Sequence, residues 1–489
     1  MEKQEIHRAK LWQLPLFACN QIGINMYVFF MGFISYYLNG MVGVAVVLAT
    51  SFVTIMRIWD AFTDPVGGHL LDKLNSKFGK FRPFMLIGNV GMAATSLIML
   101  AVTEKLPQVI RFPFFIVIYL IYVLFMTAQN TVGRAGLAAL TNDPKQRAAY
   151  GVMEAVFITL LYSVMPSYFY GTLVGQSRGF TMEFFMSGWK IVAPISLLAT
   201  VISMIGIWPA DNEKHFIKNT GNVNKFSLKN YWDVLKNNRA MQMLVVSAST
   251  DKLATQVQNN ATVSVMLYGI ICGNLALSGA LAAYTSIPNM LFVLFGVGII
   301  AAKLGQNKAM VVSSWGGLAT CTLLVALFCF GDPTTLGFPG YEGFSGWTAF
   351  SVLFLGLYIL MKGFAAISTG VITPMIADVT DYETVRTGNF VPGLIGTVFS
   401  FVDKFVSSFG ATVVGLLCAC IGYTKQLPTV EDPLTPSMKF MGLFCMFGIV
   451  MIGLVCNLIA MKFYPLTKEK MEEVEADVAR IKAEKGVSA

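Results

Sequence analysis

Long apolar runs recur along this chain, and their length leaves few folds open. Twelve stand out, at roughly 11–38, 42–65, 84–103, 112–137, 150–175, 188–209, 241–270, 276–302, 309–331, 346–377, 393–422 and 436–463. Each reaches or exceeds the ~20 residues a helix needs to cross a bilayer core. Inside that core every backbone N–H and C=O has to be bonded within the chain, so a spanning segment is a helix or a strand of a closed barrel. Barrel strands read as short alternating segments, whereas these runs are continuous. Composition agrees: 55% of the 489 residues are hydrophobic and 13% charged, against about 25% charged in soluble domains. An all-α membrane protein with twelve transmembrane helices follows. Runs longer than a bilayer requires predict tilted or bent helices.

Basic residues gather on alternate connections. One side collects Lys3, Arg8 and Lys10, then Lys73, Lys77, Lys80 and Arg82, then Lys145 and Arg147. Six Lys/Arg between 210 and 240, then Lys303, Lys308 and Arg386, fall on that same side. The other side holds only Lys105, Arg111, Arg178, Lys190 and Lys425. The rule that cytoplasmic loops are basic therefore puts both termini inside the cell, with the protein in the plasma (cytoplasmic) membrane. Loops facing anionic lipid account for the net charge of +8, and no nucleic-acid partner is implied. The first run begins at Leu11 without a small-residue cleavage site, so no removable signal is expected.

No enzyme constellation is visible. Seven of the eight cysteines fall in the apolar runs and Cys272 lies just past the seventh, with no metal spacing, and Cys418 and Cys420 are too close for a standard disulfide. They read as small buried apolar residues. The three histidines, at 7, 69 and 215, fall in cytoplasmic segments, and no phosphate-binding loop is present. Neither an enzyme nor a nucleotide-driven pump is expected, and no cofactor is implied beyond a coupling ion. No obligate protein partner is evident.

The longest polar interruption, 210–240, divides the runs six and six. Within it, Phe226 to Lys236 places apolar positions 228, 231, 232 and 235 on one helical face, the pattern of a helix lying on the inner membrane surface. Expected domains are a six-helix bundle at 1–209 carrying a cation site, a cytoplasmic linker at 210–240, a second bundle at 241–466 and a charged tail at 467–489 projecting into the cytoplasm.

Charges inside the runs carry the chemistry. Asp60 and Asp64 lie one helical turn apart, with Arg57 three residues before the first, at the end of a segment otherwise free of charge from Val42. One charged side chain at such depth costs ~3 kcal/mol or more unless something compensates. Two carboxylates on one face suit a cation site or a proton relay; the structural alternative is a salt-bridge cluster that only fixes helices. Glu154, Arg134, Asp251, Lys252, Lys362, Asp403 and Lys404 are further intramembrane charges, and the signs balance, which suits pairs around a wet cavity. Polar residues also recur at matching depth in the first and seventh runs: Asn20, Gln21 and Asn25 in one, Asp251, Lys252, Gln256 and Gln258 in the other. Trp59 and Tyr27 lie near the proposed cavity, where sugar stacking competes with plain packing.

Three short motifs carry a resemblance. Asp60-Ala-Phe-Thr63-Asp64-Pro65 is followed by Gly67-Gly68-His69-Leu-Leu-Asp72-Lys73 and, after a short gap, by Gly79-Lys80-Phe81-Arg82-Pro83; 67–83 is expected to be a loop. Ala377-Asp378-Val-Thr-Asp381-Tyr382-Glu383, with Thr387-Gly388, precedes the eleventh run, and Thr141-Asn-Asp143-Pro-Lys145-Gln-Arg147 follows the fourth. These closely resemble the glycoside–pentoside–hexuronide:cation symporters, the melibiose-permease-like branch of the major facilitator superfamily. That resemblance implies two pseudo-symmetric six-helix bundles with solute bound between them near the midplane.

It also implies roles. Asp60 and Asp64 fall on the family's cation-binding aspartates, Na⁺ ligands if the ion is sodium, and Thr127 on a hydroxyl ligand of that site. Lys404 falls on a lysine that communicates between cation and sugar sites, and Arg57 is placed beside it in coupling. Carboxylate and hydroxyl oxygens are hard ligands, and a carboxylate pair can instead share a proton. Thr63 replaces the branch's asparagine, which leaves Na⁺ and H⁺ both open. Asn130 replaces its sugar-binding aspartate and Arg134 an aromatic, so galactoside recognition does not carry over. Arg134 suits a carboxylate, phosphate or sulfonate, or snorkels to the inner interface. The solute is expected to meet Asn25, Tyr27, Asn130, Arg134, Asp251, Lys252 and Gln256. The expected function is cation-coupled (Na⁺ or H⁺) symport, by alternating access, of a sugar-like solute, a glycoside, pentoside or hexuronide, which Arg134 tilts towards an anionic sugar. The alternatives are a lipid-like or other non-sugar cargo on the same fold, and a non-transporting membrane sensor.

Overall fold

The computed structural model describes residues 8–73, 78–141, 143–211, 235–292, 305–340, 344, 346–387 and 392–484. Among them there is no strand. The helices are α1 (Gln13–Met31), α2 (Val46–Lys73), α3 (Phe81–Thr103), α4 (Gln108–Leu140), α5 (Pro144–Tyr168), α6 (Met182–Ile207) and α7 (Arg239–Gln258). There follow α8 (Ala276–Leu291), α9 (Gln306–Phe330), α10 (Ala349–Thr387), α11 (Pro392–Ser408, resuming as Gly410–Cys420), α12 (Pro436–Lys462) and α13 (Lys468–Glu484). Nine helices of the described residues are long and apolar enough to cross a membrane, or ten if the pair Ala261–Ile271 and Ala276–Leu291, bent by 110°, is one span. Helices α2 and α7 occupy the second and seventh expected positions. The amphipathic segment expected at 226–236 lies mostly outside the described residues, as does the end of the eighth run.

Local chemistry sets several boundaries. The Asp143 carboxylate accepts the Lys145 amide, with Pro144 in the first turn of α5, and the Asn238 side chain accepts the Met241 amide at the start of α7. Each supplies a partner to a helix-end N–H that has none of its own. The first span continues past α1 through Ile34–Tyr37 into a π-helical turn, Leu38–Val42, and stops at Gly43 with φ of 80°, a left-handed C-cap that suits glycine. After a break at Asn259–Asn260, the seventh span likewise ends in a π turn, Val265–Ile271. Spans one and seven thus share an irregular C-terminal end, as half-to-half symmetry expects.

Two expectations need correcting. The glycine-bearing stretch at 67–73 is helix, because α2 runs through to Lys73. The charged tail does not project freely: α13 packs against α10 and buries Val474 and Val478. Those valines, four residues apart, share one face of an otherwise polar helix.

By contacts the chain forms two compact units. The first is Met1–Gly221 with Leu275–Ala283 and Cys418–Val430; the second is the remainder. In the first, α1 packs on α6 and α5, and α3 on α4 and α6. Its inner core contains Leu14, Phe17, Phe81, Met85, Val132, Tyr150 and Ile207. A Cβ on Gly88 would lie 2.9 Å from the Phe125 carbonyl oxygen, so glycine there lets α3 approach α4 closely. In the second, α7 packs on α12 and α11, and α9 on α10 and α12, around Met241, Leu244, Met310, Val371, Met375, Val379 and Met461. All eight cysteines are free.

Candidate functional site

In the first unit a polar face runs across α1, α2, α4 and α5. Its centre is the end of α2. The Thr63 hydroxyl, buried, donates to the Asp60 main-chain oxygen at 3.0 Å and lies 2.9 Å from the Thr127 hydroxyl of α4. The Thr127 hydroxyl also reaches Asp60 Oδ1 at 3.4 Å. One carboxylate and two hydroxyls from two helices therefore converge, and each hydroxyl keeps lone pairs to offer a hard cation. Asp64 stands one turn further along α2; its side chain lies outside the described residues. Arg57 is exposed and lies within electrostatic reach of Tyr119, Tyr162 and Asp60.

A second strand of the face was not foreseen from sequence. Glu154 of α5 accepts the Gln21 amide at 2.5 Å and the Tyr150 hydroxyl at 3.2 Å, both on Oε1. Gln21 Oε1 accepts Asn25 Nδ2 at 3.2 Å, and Asn25 Oδ1 accepts the Tyr162 hydroxyl at 3.4 Å. Expected solute residue Asn25 thus belongs to a donor chain that ends on a carboxylate. Gln21 and Glu154, polar residues deep in apolar runs, were the available signal. Asn130 is half-buried, and the side chain of Arg134 lies outside the described residues.

Behind this face the polarity is structural. Asn89 Nδ2 donates to Gln129, Ser196 and Thr200, and Gln129 Nε2 to Asn20 and Thr200, all buried. Asn20, expected beside the cavity, sits instead in this network joining α1, α3, α4 and α6. Tyr27 is fully buried, its ring edge-on to Tyr122 at 6.4 Å; this is packing rather than an open stacking platform. Trp59 is partly exposed, at 39%.

In the second unit, Lys252 forms an ion pair with Asp403 of α11. Asp251 is buried on another face of α7, as adjacent positions ~100° apart on a helix require. Lys362 donates to Gln258 Oε1 at 2.5 Å and lies 5.5 Å from the centre of the Tyr358 ring. Gln256 packs under Gly410, whose Cβ would meet its side chain at 2.7 Å. Lys404 is half-buried beside Asp403 on α11.

The three motifs supply anchors. Asp211, at the end of α6, accepts the amides of Lys80, Phe81 and Arg82 and the Arg82 side chain, at 2.7 to 3.2 Å. Arg82 also stacks 4.3 Å over Trp208. Asp143 pairs with Arg8 at 2.6 Å, and Gln146 exchanges two hydrogen bonds with the Ala9 backbone. The hydrogen bond from the Lys145 amide, then Arg8, holds the Asp143 carboxyl below the usual carboxylate range. Glu383 is buried, bound by Asn238 and by Arg386 through two hydrogen bonds.

Helices of this length with charged and polar side chains gathered on interior faces define a membrane transporter rather than a soluble enzyme. Among solved structures, that of the nucleoside transporter NupG superposes with a TM-score of 0.59 at 13% identity, covering 94% of this chain and all of that one; the fold is that of the major facilitators. Residues 16–468 match the family described as MFS/sugar transport protein, and the chain belongs to it. Among curated relatives, the glucuronide carrier protein homolog of Escherichia coli (strain K12) is 23% identical over 474 residues, covering 93% of this chain and 92% of that protein. The putative glycoside/cation symporter YagG of the same organism is 22% identical, covering 93% and 91%. The protein is a multi-pass membrane transporter for a small-molecule solute.

Proposed function

We propose that this chain is a cation-coupled symporter that carries a sugar-like solute, a glycoside, pentoside or hexuronide, by alternating access. The observation that carries this reading is the convergence of the Asp60 carboxylate with the Thr63 and Thr127 hydroxyls on a polar intramembrane face. With Asp64 one turn on, that set suits Na⁺, and the carboxylates alone suit H⁺. Relatives described as a glycoside/cation symporter and a glucuronide carrier homolog support the cargo class. Cation binding neutralises carboxylates that otherwise repel each other and so favours a solute-ready state, which links the two fluxes. Arg57 and Lys404 are the coupling residues in this reading. The distribution of Lys and Arg supports a cytoplasmic-membrane location with both termini inside. A thermal-shift screen of neutral sugars and sugar acids, with and without Na⁺, tests it. Stabilisation by a sugar that Na⁺ or acidic pH enhances is expected, since a ligand bound only to the native state raises its stability. No response to any sugar under either condition would contradict the reading.

A further inference from the structure

We propose that Glu154 sets the charge selectivity of the solute site. Its carboxylate accepts hydrogen bonds from solute hydroxyls and turns away anionic sugars, so the cargo is a neutral, hydroxyl-rich glycoside rather than a uronate. This rests on the sugar-symport reading and narrows it.

Glu154 lies about ten residues, or ~15 Å, along α5 from its start, four residues into the apolar run that begins near 150. It is half-exposed. A half-buried carboxylate inside an apolar run is costly against lipid, and this one instead joins the polar chain of Gln21, Asn25 and Tyr162. Both donors that hold it, the Gln21 amide and the Tyr150 hydroxyl, are neutral and both bind Oε1. Among the described residues no donor reaches Oε2, and no cation pairs with the group.

The donors fix the carboxylate in place. Tyr150 is buried with its ring stacked on Phe17 at 5.7 Å. Gln21 is turned by Asn25, whose Nδ2 donates both to Gln21 Oε1 and to the Gln21 main-chain oxygen at 2.9 Å. That leaves the Gln21 amide N–H directed at Glu154. The result is a positioned carboxylate whose Oε2 has no donor among the described residues. An ionised carboxylate only accepts hydrogen bonds, so its complement is a donor face such as a sugar diol. A uronate carboxylate brought to the same place would face a second carboxylate, and like charges at close range repel. The contrary expectation of an anionic cargo rests on Arg134, whose side chain lies outside the described residues.

Matched sugars that differ only at C6 test this. Methyl glucoside against methyl glucuronide, and methyl galactoside against methyl galacturonide, would be titrated into the purified full chain by thermal shift, with Na⁺ and at acidic pH. Wild type is expected to bind the neutral member of a pair at least about tenfold more tightly, and Glu154→Gln to bring the ratio within about threefold. Because the ratio is taken within one sample, partial loss of folded protein does not alter it. Tyr150→Phe keeps the carboxylate and is expected to keep the wild-type ratio. A ratio unchanged in Glu154→Gln, or a wild type that prefers the uronates, overturns the proposal while leaving sugar symport standing. No binding of any of the four sugars by wild type overturns the proposal, and sugar symport falls with it only if the wider sugar screen is also silent.

Discussion

The hydroxyl of Thr63 lies 2.9 Å from that of Thr127, joining α2 to α4 beside the Asp60 carboxylate. The pair belongs to helices that meet along their length, and each hydroxyl is buried. Two neutral oxygens are thereby fixed next to an acid, in a place where an unneutralised acid is expensive.

Thr127→Val should weaken that arrangement selectively. Valine keeps the shape and removes the oxygen, leaving Thr63 still bonded to the Asp60 main chain. We expect about a tenfold loss in apparent affinity for the coupling cation, the ~1.4 kcal/mol scale of one ligand or hydrogen bond. Cation titration followed by thermal shift reads it, and an unchanged affinity would remove Thr127 from the site.

Asp211→Ala should destabilise the first unit strongly. The carboxylate is fully buried and holds three amides at the start of α3 together with Arg82, whose side chain is 11% exposed. Removing one partner of a buried pair costs about 3 kcal/mol or more. Gly79→Ala should act the same way: its φ is +92° and a Cβ would lie 2.2 Å from Asp211 Oδ2. Melting temperatures of purified protein in detergent check both.

Acid should loosen the N-terminal segment. The Asp143 carboxyl is held below its ordinary range in the folded chain by the Lys145 amide and Arg8. A depressed carboxyl stabilises the fold above the unfolded value, and that contribution is lost as pH falls through the folded one. Protection of residues 8–13 against hydrogen exchange, taken relative to the intrinsic rate at each pH, should therefore fall below the ordinary carboxylate range, near pH 4 or under. In Asp143→Asn, exchange there should be raised already at neutral pH and lose this acid dependence.

Much of the frame was legible because lipid imposes it. Apolar runs had to be helices, and the acids at 60 and 64 had to have a reason. Side-chain partners distant in sequence were not legible. Nothing near Asp211 announces that it caps α3 some 130 positions away, and nothing in Lys252 points to Asp403 rather than to its neighbour Asp251. Asn20 and Asn25 look alike along the chain, yet one is locked into a buried network and the other joins the Glu154 chain. The tail reads as a solvated charged helix, yet Val474 and Val478, with Met471 one turn before, give it the apolar face that packs inward.

Concentrative uptake by Asp60→Asn in proteoliposomes tests cation coupling most directly, using a sugar that stabilises the wild type and an imposed Na⁺ or pH gradient. The variant should insert and melt near the wild-type temperature but fail to accumulate sugar above the outside concentration. Accumulation by Asp60→Asn equal to wild type, driven by the same gradient, would contradict the assignment of Asp60 to the coupling ion.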